Sequence, residues 1–359
     1  MKTYYQARRI EQWIEQLYRA YGYSEEDSEL IAQSLISADL YGIESHGVQR
    51  IKMYDRKIQA GDIVIDANPQ VVWETPVSAV IDGRKGMGQL VAIRSMKLAI
   101  EKAAKAGIGL VTVRNSNHYG RAGYYSQMAS QKGLIGISAT NSNPLLVPTH
   151  AVQVFLGSNP LAFSMPAKPH DFLFDAATTT VSFGKIEILD KQGKTLPGAW
   201  AVDENNEINF DAGQILKNLK RFPRLGGILP IGGKGENNSG YKGYGLALII
   251  EILTSILSQG NLSADMGGGK VKGISHFFAA IDLHLFGQPE DLNQRLSEML
   301  ERIRQLPHES GEKIYVSGDK ESEAYQQRMK NGIRLDPQTV NEISLVSERL
   351  HVPYQKYLS

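Results

Sequence analysis

The chain has 359 residues, 42% of them hydrophobic, with 39 Lys+Arg against 38 Asp+Glu. That length can bury a large core in two or three domains, and a net charge of +1 lacks the clustered basic excess that a nucleic-acid partner demands. Cysteine is absent, which excludes disulfides, a thiolate nucleophile and cysteine metal sites and fits a reducing, cytoplasmic setting.

The N-terminal stretch MKTYYQARRI has no secretory-type apolar run. Ile10, Trp13, Ile14, Leu17, Tyr18 and Tyr21 then recur at helical spacing and predict an amphipathic helix. Ser24 offers an N-cap to a second helix, with Glu25, Glu26 and Asp27 in its first turn and Leu30, Ile31, Leu35 and Ile36 along it. A third helix carries Val48, Ile51, Tyr54 and Ile58 and stops at Gly61. Residues 71–81 read as strands around Pro76, 89–105 as a helix ended by Gly107, and 109–113 as a short buried strand. A helix over 123–132 ends at Gly133, and a strand follows over 134–139. Further on, a helix is expected over 243–259, a strand over 276–286, and helices over 291–305 and 321–331. The most apolar run, 246–257, is broken by Glu251 and too short for a bilayer span, so no membrane partner is expected. The alternation argues for an α/β fold.

Several signatures are missing. No G-x-G-x-x-G follows a strand; the Gly-rich stretches 82–88 and 232–240 lack that spacing, and the second fails as a phosphate loop because Tyr241 separates Gly240 from Lys242. Neither H-E-x-x-H nor G-x-S-x-G occurs, and the histidines do not pair at metal-ligand spacings, so no metal site is expected.

Other segments carry chemistry. Ser45-His46-Gly47 joins two helical segments without a packing demand for such a turn; Arg50 follows four residues after His46 and would share its face on a helix. A His beside an Arg fork suits a carboxylate-bearing substrate, and a cap plus a surface arginine is the plainer reading. Asn115-Ser-Asn-His118-Tyr-Gly120 directly follows a buried strand, where either a catalytic or a structural histidine fits. Asn141-Ser-Asn-Pro144 and Gly157-Ser-Asn-Pro160 are near-identical turns that either bind phosphate or ribose or serve as turn chemistry alone. Asp175, in Phe-Asp-Ala-Ala-Thr-Thr-Thr, either meets a ribose hydroxyl or caps the next helix. Tyr241-Lys242-Gly-Tyr-Gly245 opens an apolar helix, whose N-terminus and lysine favour an anion.

Together the segments ADLYGIESHGVQR, NSNHYGRAGYY, NSNPLLVP, GSNPLAFSMPA, FDAATTT, LPGAWAVD and YKGYGLALIIEIL resemble, in order over most of the chain, the type 2 malate/L-lactate dehydrogenases, a family that includes ureidoglycolate, sulfolactate and diketogulonate dehydrogenases. The resemblance implies a non-Rossmann nicotinamide-binding α/β domain with a large mixed sheet (76–285). It also implies a helical domain made from the termini (1–75 and 286–359), and a homodimer. It implies His118 as proton acceptor with His46 as its catalytic partner, Ser45 and Arg50 as substrate contacts, and Ser142, Asp175, Ala176, Ala177, Lys242, Gly318 and Asp319 as cofactor contacts. Ser317, in the late turn Val-Ser-Gly-Asp, departs from the family's usual proline, and the stretch 232–240 is longer than usual. The expected activity is hydride transfer between NAD or NADP and a small 2-hydroxy or 2-oxo acid. Lys185 and Lys191 are candidates for a 2′-phosphate contact. Two other classes compete: a metal-dependent hydrolase or lyase built on His46, His118 and Asp175, and a nicotinamide-binding protein without catalysis.

Overall fold

A computed structural model describes residues 4–268 and 271–358. Strand β1 (Tyr4–Tyr5) leads into α1 (Ala7–Tyr21), whose stripe Ile10, Trp13, Ile14, Leu17 and Tyr18 is buried as its spacing predicts. Ser24 caps α2 (Glu25–Leu40) by accepting from the Asp27 N–H at 3.1 Å. Two short 3₁₀ turns, Glu44–His46 and Val48–Arg50, precede α3 (Ile51–Gln59). Strands β2 (Gln70–Glu74) and β3 (Ser78–Asp82) form a hairpin, closed where the Thr75 hydroxyl accepts from the Ser78 N–H at 3.0 Å. Then come α4 (Gly88–Ala106), β4 (Ile108–Ser116), α5 (Ala122–Ser130) and β5 (Leu134–Thr140).

The middle of the chain holds elements that the sequence pattern did not reveal: β6 (Leu161–Met165), β7 (Phe172–Ala176), α6 (Phe183–Lys191), β8 (Ala201–Val202), α7 (Ala212–Lys220) and β9 (Gly227–Ile228). The predicted helix over 243–259 is α8 (Gly240–Glu251), which loosens into a π-helical turn at Ile252–Ile256. The strand expected to reach residue 286 is β10 (Ile274–Asp282); the Asp282 carboxylate ends it by capping a 3₁₀ turn, Leu283–Leu285. Helices α9 (Pro289–Arg304) and α10 (Asp319–Asn331), strand β11 (Ile333–Arg334) and α11 (Pro337–Arg349) complete the order.

Seven strands make one mixed sheet in the order β2-β3-β4-β10-β5-β6-β7, with β3 and β4 its one parallel pair. The late strand β10 lies between β4 and β5 and is antiparallel to both. Val91, Ile93, Met96 and Ala99 of α4 and Tyr125 and Ala129 of α5 pack with Val111, Val113, Ala162 and Phe278 of the sheet. Ile250 of α8 packs with Phe277 and Ala279, which share the face of β10 opposite to Phe278. A smaller core around Val147, Ile186, Leu196, Ile215 and Ile228 unites α6, α7 and the β8–β9 pair.

The chain's two ends share a further core. Ile10, Trp13, Leu17, Leu35, Ile51 and Tyr54 pack with Ile343, Val346 and Tyr357. β1 pairs with β11, and the Trp13 indole donates to the Ser347 hydroxyl at 2.8 Å. The last segment therefore clamps the helices that carry the Ser-His-Gly turn.

Candidate active site

Gly47 is shaped by packing, contrary to the reading of its turn as free of packing demand. A Cβ there would lie 2.1 Å from Asp39 Oδ2, so only glycine lets the turn close over that carboxyl group. Asp39 is buried in α2 and accepts the Val48 N–H at 2.7 Å. Its pKa is raised to about 8, chiefly by burial, with Glu44 adding to the rise and the Val48 bond opposing it.

The turn is two 3₁₀ segments broken at Gly47, so His46 and Arg50 meet without sharing an α-helical face. The Arg50 Nε–H reaches back to the Ser45 carbonyl, and Nη2 faces Glu187 Oε2 at 3.7 Å. Gly184, in the first turn of α6, lies against Ser45 and Arg50; a Cβ there would be 3.1 Å from Ser45 Cβ and 3.3 Å from Arg50 Nη2. The end of the guanidinium is thus the part left to grip a carboxylate.

His46 and His118 stack with ring centroids 5.5 Å apart and 22° between planes. Ser45 Oγ holds His46 Nδ1 at 2.8 Å, and the Tyr54 hydroxyl holds His118 Nδ1 at 2.7 Å. Each ring therefore keeps Nε2 for a reacting group. Burial drives both pKa values down: His46 to about 4, with Arg50 and Arg121 adding to it, and His118 well below the imidazole value, helped by His46, Arg50, Lys57 and His276. His46 is partly buried.

A stack of rings fixes where His118 emerges from β4. Tyr119 lies flat on His276, centroids 4.5 Å apart, and the Tyr125 hydroxyl donates to the Tyr119 carbonyl. His276 is fully buried, with Nδ1 on Thr140 Oγ1 at 2.8 Å and Nε2 on Ser116 Oγ at 2.9 Å, so it is a structural histidine. Asn117, next to His118, is pinned by the carbonyls of Asp62, Lys85 and Gly86 and accepts from Lys57 Nζ at 3.1 Å. Tyr54, Lys57, Arg121 and Glu187 escaped the sequence reading. Arg50, Tyr54 and Lys57 recur at i, i+4 and i+7, and that face was the available signal, masked because Tyr54 counted as core.

The cofactor candidates fall into separate places. Ser142 Oγ accepts from the Ser158 N–H at 3.0 Å, so the two Ser-Asn-Pro turns abut. Their Asn141 and Asn159 amides turn inward to Glu251 on α8, which also accepts from Ser263 N–H at 2.6 Å and Ser263 Oγ at 2.8 Å. Lys242 is exposed in the first turn of α8. Asp175 caps α5 rather than the helix that follows it, accepting the Gly123 N–H at 2.7 Å; Ala176 ends β7, and Ala177 follows. Gly318 packs on Asp171 and Leu173, near the start of β7. The Asp319 carboxylate is fully engaged by Arg304, by His170 Nε2 at 2.9 Å and by the Val316 N–H at 2.9 Å. Lys185 lies over the Trp200 ring, and Lys191 lines a cleft of about 870 Å³ with Arg328 and Arg334. Among the described residues, no group of three or more His, Asp or Glu side chains is arranged to hold a metal ion. No helix among them is long and apolar enough to cross a membrane.

A profile described as malate/L-lactate dehydrogenase matches residues 5–344. The chain belongs to that family. Within it, the chain is 42% identical to a malate dehydrogenase of Pyrococcus abyssi, over 92% of this chain and 90% of that protein. It is 34% identical to an L-sulfolactate dehydrogenase of Methanocaldococcus jannaschii, over 95% of each. Among solved structures, malate dehydrogenase from Entamoeba histolytica superposes with a TM-score of 0.94 at 34% identity, covering 98% of this chain and 99% of that one.

Proposed function

We propose that this protein is a nicotinamide-dependent dehydrogenase of small 2-hydroxy or 2-oxo acids, with His118 as the proton-transfer group. The observation that carries this reading is the His46–His118 pair. Two neutral rings are held by Ser45 and Tyr54 through Nδ1, with the Arg50 guanidinium in the same turn as His46. Malate, lactate, ureidoglycolate and sulfolactate are the substrate types under consideration, and NAD or NADP the cofactor, held in a non-Rossmann domain over 76–285.

When bound, the nicotinamide supplies or takes up the hydride. Arg50 holds the substrate carboxylate through its Nη groups, and the partly buried turn around it limits competing water. In oxidation, His118 Nε2 accepts the hydroxyl proton as the carbonyl forms; in reduction it returns that proton to the carbonyl oxygen. His46 lines the same site beside His118. Burial chiefly disfavours the imidazolium, with His46, Arg50 and Lys57 adding to it, so the ring is in the neutral form that can accept a proton in oxidation. Ser142, Asp175, Ala176, Ala177, Lys242, Gly318 and Asp319 are assigned to the cofactor; Asp319 contributes through its backbone, since its carboxylate is occupied.

A panel of 2-oxo acids, run with both reduced cofactors and followed at the reduced-cofactor absorbance, tests the proposal. Consumption with at least one acid is expected, and none with any acid overturns it. His118→Ala should lower turnover by ~10²–10⁴-fold. A homodimer is part of the same reading, supported by the exposed apolar face of Leu246, Ile249, Ile252 and Ile256.

A further inference from the structure

Arg121 is 2% exposed, and its guanidinium is half satisfied. Nη2 donates to Gln127 Oε1 at 2.6 Å and to Ser37 Oγ at 3.1 Å, and the group lies 4.3 Å over the Tyr41 ring. Nε and Nη1 have no hydrogen-bond partner among the described residues; burial lowers the Arg121 pKa, and the nearby charges of Asp175 and Glu321 oppose that fall without bonding to those two groups. A buried guanidinium with two unused donor groups is costly to keep, so a partner is expected when the protein works.

The position identifies the class of partner. Arg121 is the N-cap residue of α5, and the N–H of Gly123, two residues on, donates to Asp175. A Cβ on Gly123 would be 2.8 Å from Arg121 Nη1 and 2.9 Å from Asp175 Oδ2, so the guanidinium borders the end of β7. Gly318, just ahead of α10, packs against the same strand. Arg121 thus lies beside Asp175 of one assigned cofactor stretch, feels the charge of Glu321 in the first turn of α10, and its own charge is felt by His46. A guanidinium fork beside a helix N-terminus is suited to phosphate oxygens.

We propose that Arg121 is a phosphate-binding residue of the dinucleotide site, reached by the cofactor through the junction of α5, β7 and α10. The proposal rests on the dehydrogenase reading above. Two phosphate groups are available, the diphosphate bridge that NAD and NADP share and the 2′-phosphate of NADP. Asp175 stands beside it and accepts the Gly123 N–H; burial raises its pKa, while Arg121 and the Gly123 bond oppose the rise.

Fluorescence titration with NADH and NADPH of the wild type and of R121Q tests this, without any turnover. R121Q should bind about tenfold more weakly or worse, as expected for a lost charge-assisted hydrogen bond. Equal loss for both cofactors assigns Arg121 to the diphosphate; loss for NADPH alone assigns it to the 2′-phosphate. Unchanged affinity in a folded R121Q overturns the proposal and leaves the dehydrogenase reading standing. A wild type that binds neither cofactor sinks both. If R121Q does not fold, the wild-type Arg121 Nε–H resonance, assigned by its loss in R121K, decides the matter: it must shift when NADH is added, and a fixed resonance overturns the assignment.

Discussion

Two histidines with depressed pKa values have different fates here. His276 has both ring nitrogens engaged by Ser116 and Thr140, whereas His118 has only Nδ1 engaged, so burial alone does not mark a reacting group. Because His46 is held near 4 and His118 well below its ordinary value, the acidic limb of kcat/KM for hydroxy-acid oxidation should lie well below pH 6.5. A pH–rate profile with a limb at 6.5 would contradict the geometry. Tyr54→Phe frees Nδ1 of its partner and should lower kcat about tenfold or more while leaving the fold intact, to be checked by steady-state kinetics beside circular dichroism. Spacing alone left His118 and the Ser45-His46 turn with Arg50 balanced against plain structural readings, and the family resemblance supplied their proposed roles. Tyr54 was not legible, since an aromatic on the apolar stripe of α3 looks like core, and it is core as well as His118's partner.

At the level of elements, the Ser-His-Gly turn depends on Asp39 in α2. Asp39 holds its proton to about pH 8 in the fold, against 3.8 as the ordinary value, so the native state binds the extra proton between those limits. Stability from this group is full below about 3.8 and is lost as pH rises through 8. Asp39→Asn cannot ionise, and its melting temperature should fall less than the wild type's between pH 5 and 9. Glu251 has a comparable place at the other end, joining α8 to Asn141, Asn159 and Ser263. Glu251→Leu orphans those donors and should destabilise the fold by ~2–5 kcal/mol in denaturant unfolding. The long helices were legible from their stripes and caps. Helix α6 was not: nine residues with Lys185, Glu187 and Lys191 among its apolar ones leave a weak periodicity, and its core partners come from α7 and β9, far along the chain.

For the whole molecule, the α/β class followed from alternating periodicities and the large mixed sheet was implied by the family resemblance; strand order followed from neither, because pairing is settled by distant contacts. Residues of the two termini share a core that no local pattern predicts, since a helix's own stripe does not record which distant helix covers it. The apolar face of α8 belongs to this scale too. If it is the homodimer contact, Ile249→Glu should shift the protein to a monomer in multi-angle light scattering, with its melting temperature made concentration-independent.

The central placement of β10 bears on how the protein is made. A ribosome that has released residues up to 260 has delivered β4 and β5 without the strand that separates them, so two half-sheets wait with open inner edges. The sheet closes only when the last third of the chain emerges. A nascent chain stalled before residue 274 should therefore be protease-sensitive and chaperone-bound, while release of the following segment should bring protection in one step, with no stable intermediate of shorter length.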